Sequence, residues 1–151
     1  MNKLKLLFLG ILPFVIGRLL DYAMIKYDWY GTIILIIGIM FFTYWFFVGY
    51  KSYDYVKTSK ESILIGNSFA IISIILILFQ ILIMKKFMLN ILGILPQMFY
   101  LPTMGIVGAL ERTLFFFIST HYPWEPFVLS FILMIVVYYA GYRIRLKNKR
   151  T

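Results

Sequence analysis

The sequence predicts an all-α integral membrane protein with four transmembrane helices plus a Pro-broken re-entrant or interfacial element at about 87–120. Three observations lead there. Of the 151 residues, 62% are hydrophobic and 14% are charged, whereas soluble domains are about half apolar and a quarter charged. A soluble domain this small leaves too much surface exposed to hide such an excess. The third observation is placement: long uncharged stretches recur, and most Lys and Arg stand at their borders. The length fits one polytopic domain, 1–151. No linker or internal repeat divides it, so an inverted-repeat transport architecture has no support.

The first span is expected at about 4–25. Lys3 and Lys5 precede an apolar run, as in a signal peptide, but no small-x-small cleavage site follows, so the span is read as uncleaved. Arg18 and Asp21 interrupt it. The second span, about 29–50, is uncharged from Trp29 to Tyr50 and lies between Asp28 and Lys51. The third, about 62–84, closes at Lys85 and Lys86 and follows Thr58-x-x-Glu61, a capping box that starts a helix. A span needs about 20 apolar residues. Residues 87–120 are apolar enough, but Pro96, Pro102 and the glycines around them predict a break near the middle. Gly105-x-x-Gly108 is one residue short of the close-packing GxxxG pattern and carries no weight. The last span, about 126–143, follows HYPWEP and accommodates Pro126 in its first turn. A basic tail, 143–151, comes after it.

Orientation follows from the excess of Lys and Arg on the cytoplasmic side. With four spans and both termini inside, the cytoplasm holds ten: Lys3, Lys5, Lys51, Lys57, Lys60, Arg143, Arg145, Lys147, Lys149 and Arg150. The outside holds four, Lys26, Lys85, Lys86 and Arg112, with Arg18 embedded. A fifth crossing through 87–120 gives a weaker asymmetry, so four spans are preferred. The localisation expected is the plasma membrane, and usage rich in Ile, Phe, Tyr and Lys suits an AT-rich bacterial genome.

The net charge of +9 is then a topology and headgroup signal, not one for nucleic acid. Without Cys, thiolate catalysis, disulfides and Cys-ligated metals are excluded. His121 is the sole histidine and has no partner set for a metal or a catalytic pair. No nucleophile elbow, P-loop, zinc-protease or dinucleotide motif is present. No catalytic residue, metal site or cofactor is assigned.

Ionisable groups inside a membrane are costly and are candidates for function. Arg18 and Asp21, spaced i, i+3, share a helix face. With Glu111 and Arg112 they form the candidate binding cluster, all on the outer side of the expected topology. Two readings stand side by side. One is an outward pocket in which guanidinium groups hold an anion. The other is a closed network, Arg18 with Asp21 or Glu111 and Arg112 with the remaining acid. Gly66, Asn67, Ser68 and Gln80 in the third span are expected to pack helices together. Trp29, Tyr122 and Trp124 are expected to anchor the interfaces.

The function expected is that of a small non-enzymatic membrane protein acting through a partner, either an immunity-type protein or an accessory subunit of a membrane complex. Its partners are the lipid bilayer and a protein partner or further copies of itself. A small transporter or channel-like subunit is the alternative, and an enzyme acting on lipid or isoprenoid phosphates comes third.

Overall fold

A computed structural model describes residues 2–27, 31–56, 58–114 and 122–149, and among these every regular element is helical. Three long helices match expected spans: α1 (Asn2–Tyr27), α2 (Thr32–Ser52) and α7 (Glu125–Asn148). Pro126 falls in the first turn of α7, where its missing N–H is one that the helix does not use.

The expected third span is bent, which corrects the unbroken 62–84 helix read from the sequence. It consists of α3 (Ser59–Gly66), α4 (Ser68–Leu78) and one π-helical turn, Phe79–Ile83, with a bend of 57° between Gly66 and Ser68. Its start is as expected: Thr58 Oγ1 accepts the Glu61 N–H at 3.3 Å. The bend survives in the core because side chains serve the last carbonyls of α3. Tyr138 Oη donates to Ser62 O, Asn67 Nδ2 to Ile63 O and Ser68 Oγ to Ile65 O, each at 3.0 Å.

A second correction concerns 87–120. The prolines do not break it. α5 (Ile91–Tyr100), a single 3-10 turn (Leu101–Thr103) and α6 (Met104–Leu114) follow one another without a gap. Pro102 sits at the start of the 3-10 turn, where a missing N–H does no harm. Thr103 Oγ1 reaches Tyr100 O at 2.6 Å. The chain tightens around the proline and continues. Four helices are therefore long and apolar enough to cross a membrane: Lys3–Tyr27, Thr32–Ser52, Ile91–Thr113 and Glu125–Asn148. The bent α3–α4 segment would make five.

Side-chain contacts order the ends. Lys3 pairs with Glu61, and Asp54 pairs with Arg145 at 3.1 Å and Lys149 at 2.7 Å. These pairs gather the starts of α1 and α3 and the ends of α2 and α7 at one end of the bundle. At the other end the rings of Phe87 and Phe127 stand 6.3 Å apart, so the third segment finishes where α7 begins. α2 and α7 consequently run parallel. Their seam is backbone on backbone: a Cβ on Gly49 would strike the Tyr138 carbonyl, and one on Gly141 the Phe46 carbonyl. Trp45, Met134, Phe41 and Tyr138 fill the core beside this seam.

The α5–α6 segment runs across the others. The Met98 carbonyl lies against Gly17 of α1, and Tyr100 Oη donates to Ala70 O of α4 at 2.6 Å. Thr103 Oγ1 is 2.8 Å from Ser130 Oγ of α7, and Gly105 abuts the Ile34 carbonyl of α2. Four neighbours are met between residues 98 and 105. A helix lying alongside a single neighbour meets that same neighbour every three or four residues. Gly105, given no weight in the sequence, is a point of closest approach, while Gly108 faces open space.

Candidate functional site

Arg18 and Asp21 do share a face: Arg18 Nη1 is 3.0 Å from Asp21 Oδ2. The pair is open. The Arg18 side chain is 72% exposed and that of Asp21 27%. Arg112 is also exposed, and its Nε donates to Gly108 O on its own helix at 3.1 Å. Glu111 is half-buried beside it. Helix packing separates the two sets, because α1 lies against α5 while α6 lies against α2 and α7. The four residues therefore form two local groups on different flanks of the bundle: Arg18 bonds Asp21, and Arg112 bonds the Gly108 carbonyl.

Beside Arg18 runs a groove of about 740 Å³ between α1 and the start of α5. Phe14, Leu92, Leu95 and Met98 form its apolar walls, and Arg18 and Asn90 stand on its lining. Asn90 is engaged in capping α5, its Oδ1 accepting the Gly93 N–H at 3.0 Å. Among the described residues of the lining, Arg18 is the one that carries a charge. Two turns beyond it, Lys26 Nζ sits over the rings of Tyr22 and Tyr27, 5.5 and 5.2 Å from their centroids. Tyr122 is exposed and stacks on Trp124 at 5.8 Å. Trp29, Asp28 and His121 lie outside the described residues.

The residues expected to pack helices occupy the interior around the bend. Asn67 is fully buried, and its Oδ1 accepts from Trp45 Nε1 at 3.3 Å. Gly66 leaves the room that the Tyr138 hydroxyl occupies. Gln80 is buried; Nε2 donates to Leu76 O at 3.2 Å and Oε1 accepts the Met88 N–H at 2.9 Å, tying down the connection to α5. Ser68 Oγ bonds within its own segment, to Ile65 O.

Two clusters escaped the sequence reading. Ser52, Ser62 and Tyr138 form a buried hydroxyl chain. Ser52 Oγ donates to Gly49 O at 2.6 Å and lies 2.7 Å from Ser62 Oγ, which lies 3.1 Å from Tyr138 Oη. With Tyr138 bonded to Ser62 O, one proton remains, that of Ser62, and it has an acceptor on either side. The signal available was a serine at the border of each of two apolar runs and a tyrosine inside a third, which gives no hint of their convergence. The other cluster is Asp54 with Arg145 and Lys149. The Lys149 ammonium, hydrogen-bonded to the carboxylate, holds the Asp54 pKa below its ordinary value. Arg145 also lies over the Tyr50 ring at 5.0 Å and Lys149 over Tyr53 at 5.1 Å.

No family model, curated protein or solved structure matches this chain.

Proposed function

We propose that this chain is a multi-pass integral protein of the cell membrane, with both termini in the cytoplasm, that acts by recognising a partner at its outer end. An immunity-type protein or an accessory subunit of a membrane complex fits this reading. The observation that carries it is the openness of Arg18, 72% exposed and bonded to a residue of its own helix. An ion pair whose purpose was to lock α1 to the bundle would reach across to another helix. A charge kept at the surface of an apolar span is available to something arriving there.

The proposed topology has α1, α2, the bent α3–α4 segment and α7 as the four crossings. The α5–α6 segment lies across the outer half. This arrangement draws support from the ion pairs that collect four helix ends, and from the succession of neighbours met by residues 98–105. It places Lys3, Lys5, Lys51, Lys60, Arg143, Arg145, Lys147 and Lys149 on one side, in keeping with the positive-inside rule.

The absence of cysteine provides a direct test. Single cysteines at Lys85 and Lys51 are treated with a membrane-impermeant maleimide in intact cells. Labelling at 85 and protection at 51 is the expected result; the reverse pattern overturns the orientation. Photo-crosslinkers at Arg18 and Arg112, with Lys51 as control, then test recognition. A protein adduct of defined mass at the outer positions alone supports it, and equal or absent adducts reject it.

A transporter or channel-like subunit is favoured by one feature, the bend at Asn67, since discontinuous helices build solute sites in membranes. Flux of a labelled solute into proteoliposomes separates the two readings. For an enzyme acting on lipid phosphates, the groove would need a carboxylate on its own lining, and Asp21, turned to Arg18, and Glu111 both lie outside that lining.

A further inference from the structure

The groove between α1 and α5 has a composition that selects a class of occupant. Its walls are hydrocarbon, from Phe14, Leu92, Leu95 and Met98, and among the described lining residues the one charge is the Arg18 guanidinium. Its volume of about 740 Å³ is in the range that binds small organic ligands, about 300–1,000 Å³. We propose that the groove is a binding site for one anionic phospholipid, with the phosphate headgroup on Arg18 and an acyl chain along Phe14, Leu92, Leu95 and Met98. The proposal rests on the membrane reading above and adds an identified ligand chemistry to it.

Depth supports the assignment. Lys26, clasped between Tyr22 and Tyr27, has the make-up of an interfacial anchor. Arg18 precedes it by eight residues, about 12 Å along the helix axis, so its guanidinium starts below the headgroup level. A charged side chain there is costly unless it snorkels or meets a counter-ion. Asp21 provides one oxygen at 3.0 Å. A guanidinium has five N–H donors in a fork that matches a phosphate, so four remain after that bond. The acyl chain alone cannot provide selectivity, because lipid tails are as apolar as the walls of the groove. Preference for a lipid must therefore come from the head, and a zwitterionic head offsets its own phosphate charge. Lys85 and Lys86 on the exposed connection into α5 add to the same positive field.

The test uses the full-length protein, purified from membranes and exposed to equal amounts of dioleoylphosphatidylglycerol and dioleoylphosphatidylcholine. Retained lipids are counted by native mass spectrometry. One phosphatidylglycerol per chain, held in preference to phosphatidylcholine, is the expected result. Arg18→Ala lowers that retention about tenfold or more, the scale of a charge-assisted hydrogen bond. Arg18→Lys retains part of it, and Leu95→Trp, which fills the groove with Arg18 intact, abolishes it. Inorganic phosphate added to the lipid-loaded protein displaces none of the lipid; displacement would mark a simple anion site and overturn the proposal. Equal retention by wild type and Arg18→Ala, equal retention of the two lipids, or indifference to Leu95→Trp overturns the proposal. A protein adduct at Leu95 from a crosslinker, in place of lipid, also overturns it. Helical circular dichroism confirms that each variant is folded. Resistance to carbonate extraction is measured in parallel. If the protein leaves the membrane, the membrane reading fails; if it stays and shows no lipid preference, the lipid site alone fails.

Discussion

The hydroxyl of Tyr138 occupies the place where Gly66 has no side chain, and from there it donates to Ser62 O at 3.0 Å. The bend between α3 and α4 and the last helix of the chain are thus fitted to each other at one atom. Gly66→Ala should destabilise the protein by about 1–3 kcal/mol as an overpacked site. Gly66→Ala combined with Tyr138→Leu should recover part of that loss, because the hydroxyl and the ring edge that the methyl would meet are both removed. Unfolding titrations of both variants in mixed micelles check this; additive losses would show that the two positions are independent.

The parallel seam of α2 and α7 makes a second prediction. Gly49→Ala and Gly141→Ala each force a methyl group into a carbonyl of the facing helix, Tyr138 and Phe46 respectively. Neither neighbour is a flexible side chain that can swing away. Each variant should lose about 1–3 kcal/mol, whereas Gly108→Ala, which faces open space, should be neutral or slightly stabilising through helix propensity. Thermal inactivation of the three variants in one detergent ranks them directly.

Asn67→Leu removes the acceptor for Trp45 Nε1 and the donor to Ile63 O in one substitution. A buried indole N–H without a partner costs about 1–3 kcal/mol. The emission spectrum of Trp45, isolated by replacing Trp29 and Trp124 with Phe, should change on this substitution. No change would mean that the 3.3 Å contact does not form in solution.

The Asp54 clamp predicts a pH dependence. Its folded pKa lies below the ordinary value because Lys149 and Arg145 bind the carboxylate. The unfolded carboxyl therefore takes up its proton first as pH falls. The clamp contributes fully above the unfolded pKa of about 3.9, and its contribution is lost as pH drops through the lower folded value. The group is largely solvated, so each pair contributes only about 0.2–1 kcal/mol. Spin labels at Tyr55 and Lys147 should keep a narrow distance distribution at pH 7 and a broad one below that window. Asp54→Asn should give the broad distribution at both.

Much of the architecture was legible because it depends on composition. The lengths of α1, α2 and α7, the capping box at Thr58 and the apolar character of 91–113 are local properties, and they follow from hydropathy and capping rules. The location of the break was not legible. Pro96 and Pro102 are strong local signals, yet a 3-10 turn absorbs Pro102 and the helix continues. The bend lies instead at Gly66-Asn67-Ser68, whose residues were read as packing glue, because the atom that fixes it, Tyr138 Oη, comes from more than seventy positions away. The candidate charges show the same division. The Arg18–Asp21 spacing predicts their contact, but the separation of Arg18 from Glu111 and Arg112 depends on which helices α6 packs against.

The seam between α2 and α7 also fixes an order of events in time. α2 ends at Ser52 and its partner begins at Glu125. At a synthesis rate of about 5–20 residues per second, the intervening chain takes roughly 4–15 s to emerge. Throughout that interval Gly49 has no neighbour, and the Trp45 face of α2 must be covered by lipid, by a chaperone or by the earlier helices. α7 therefore closes this seam after the helices before it are in place, like a bolt drawn after the door is shut. A ribosome-bound chain lacking α7 is the species on which quality-control proteases would act first.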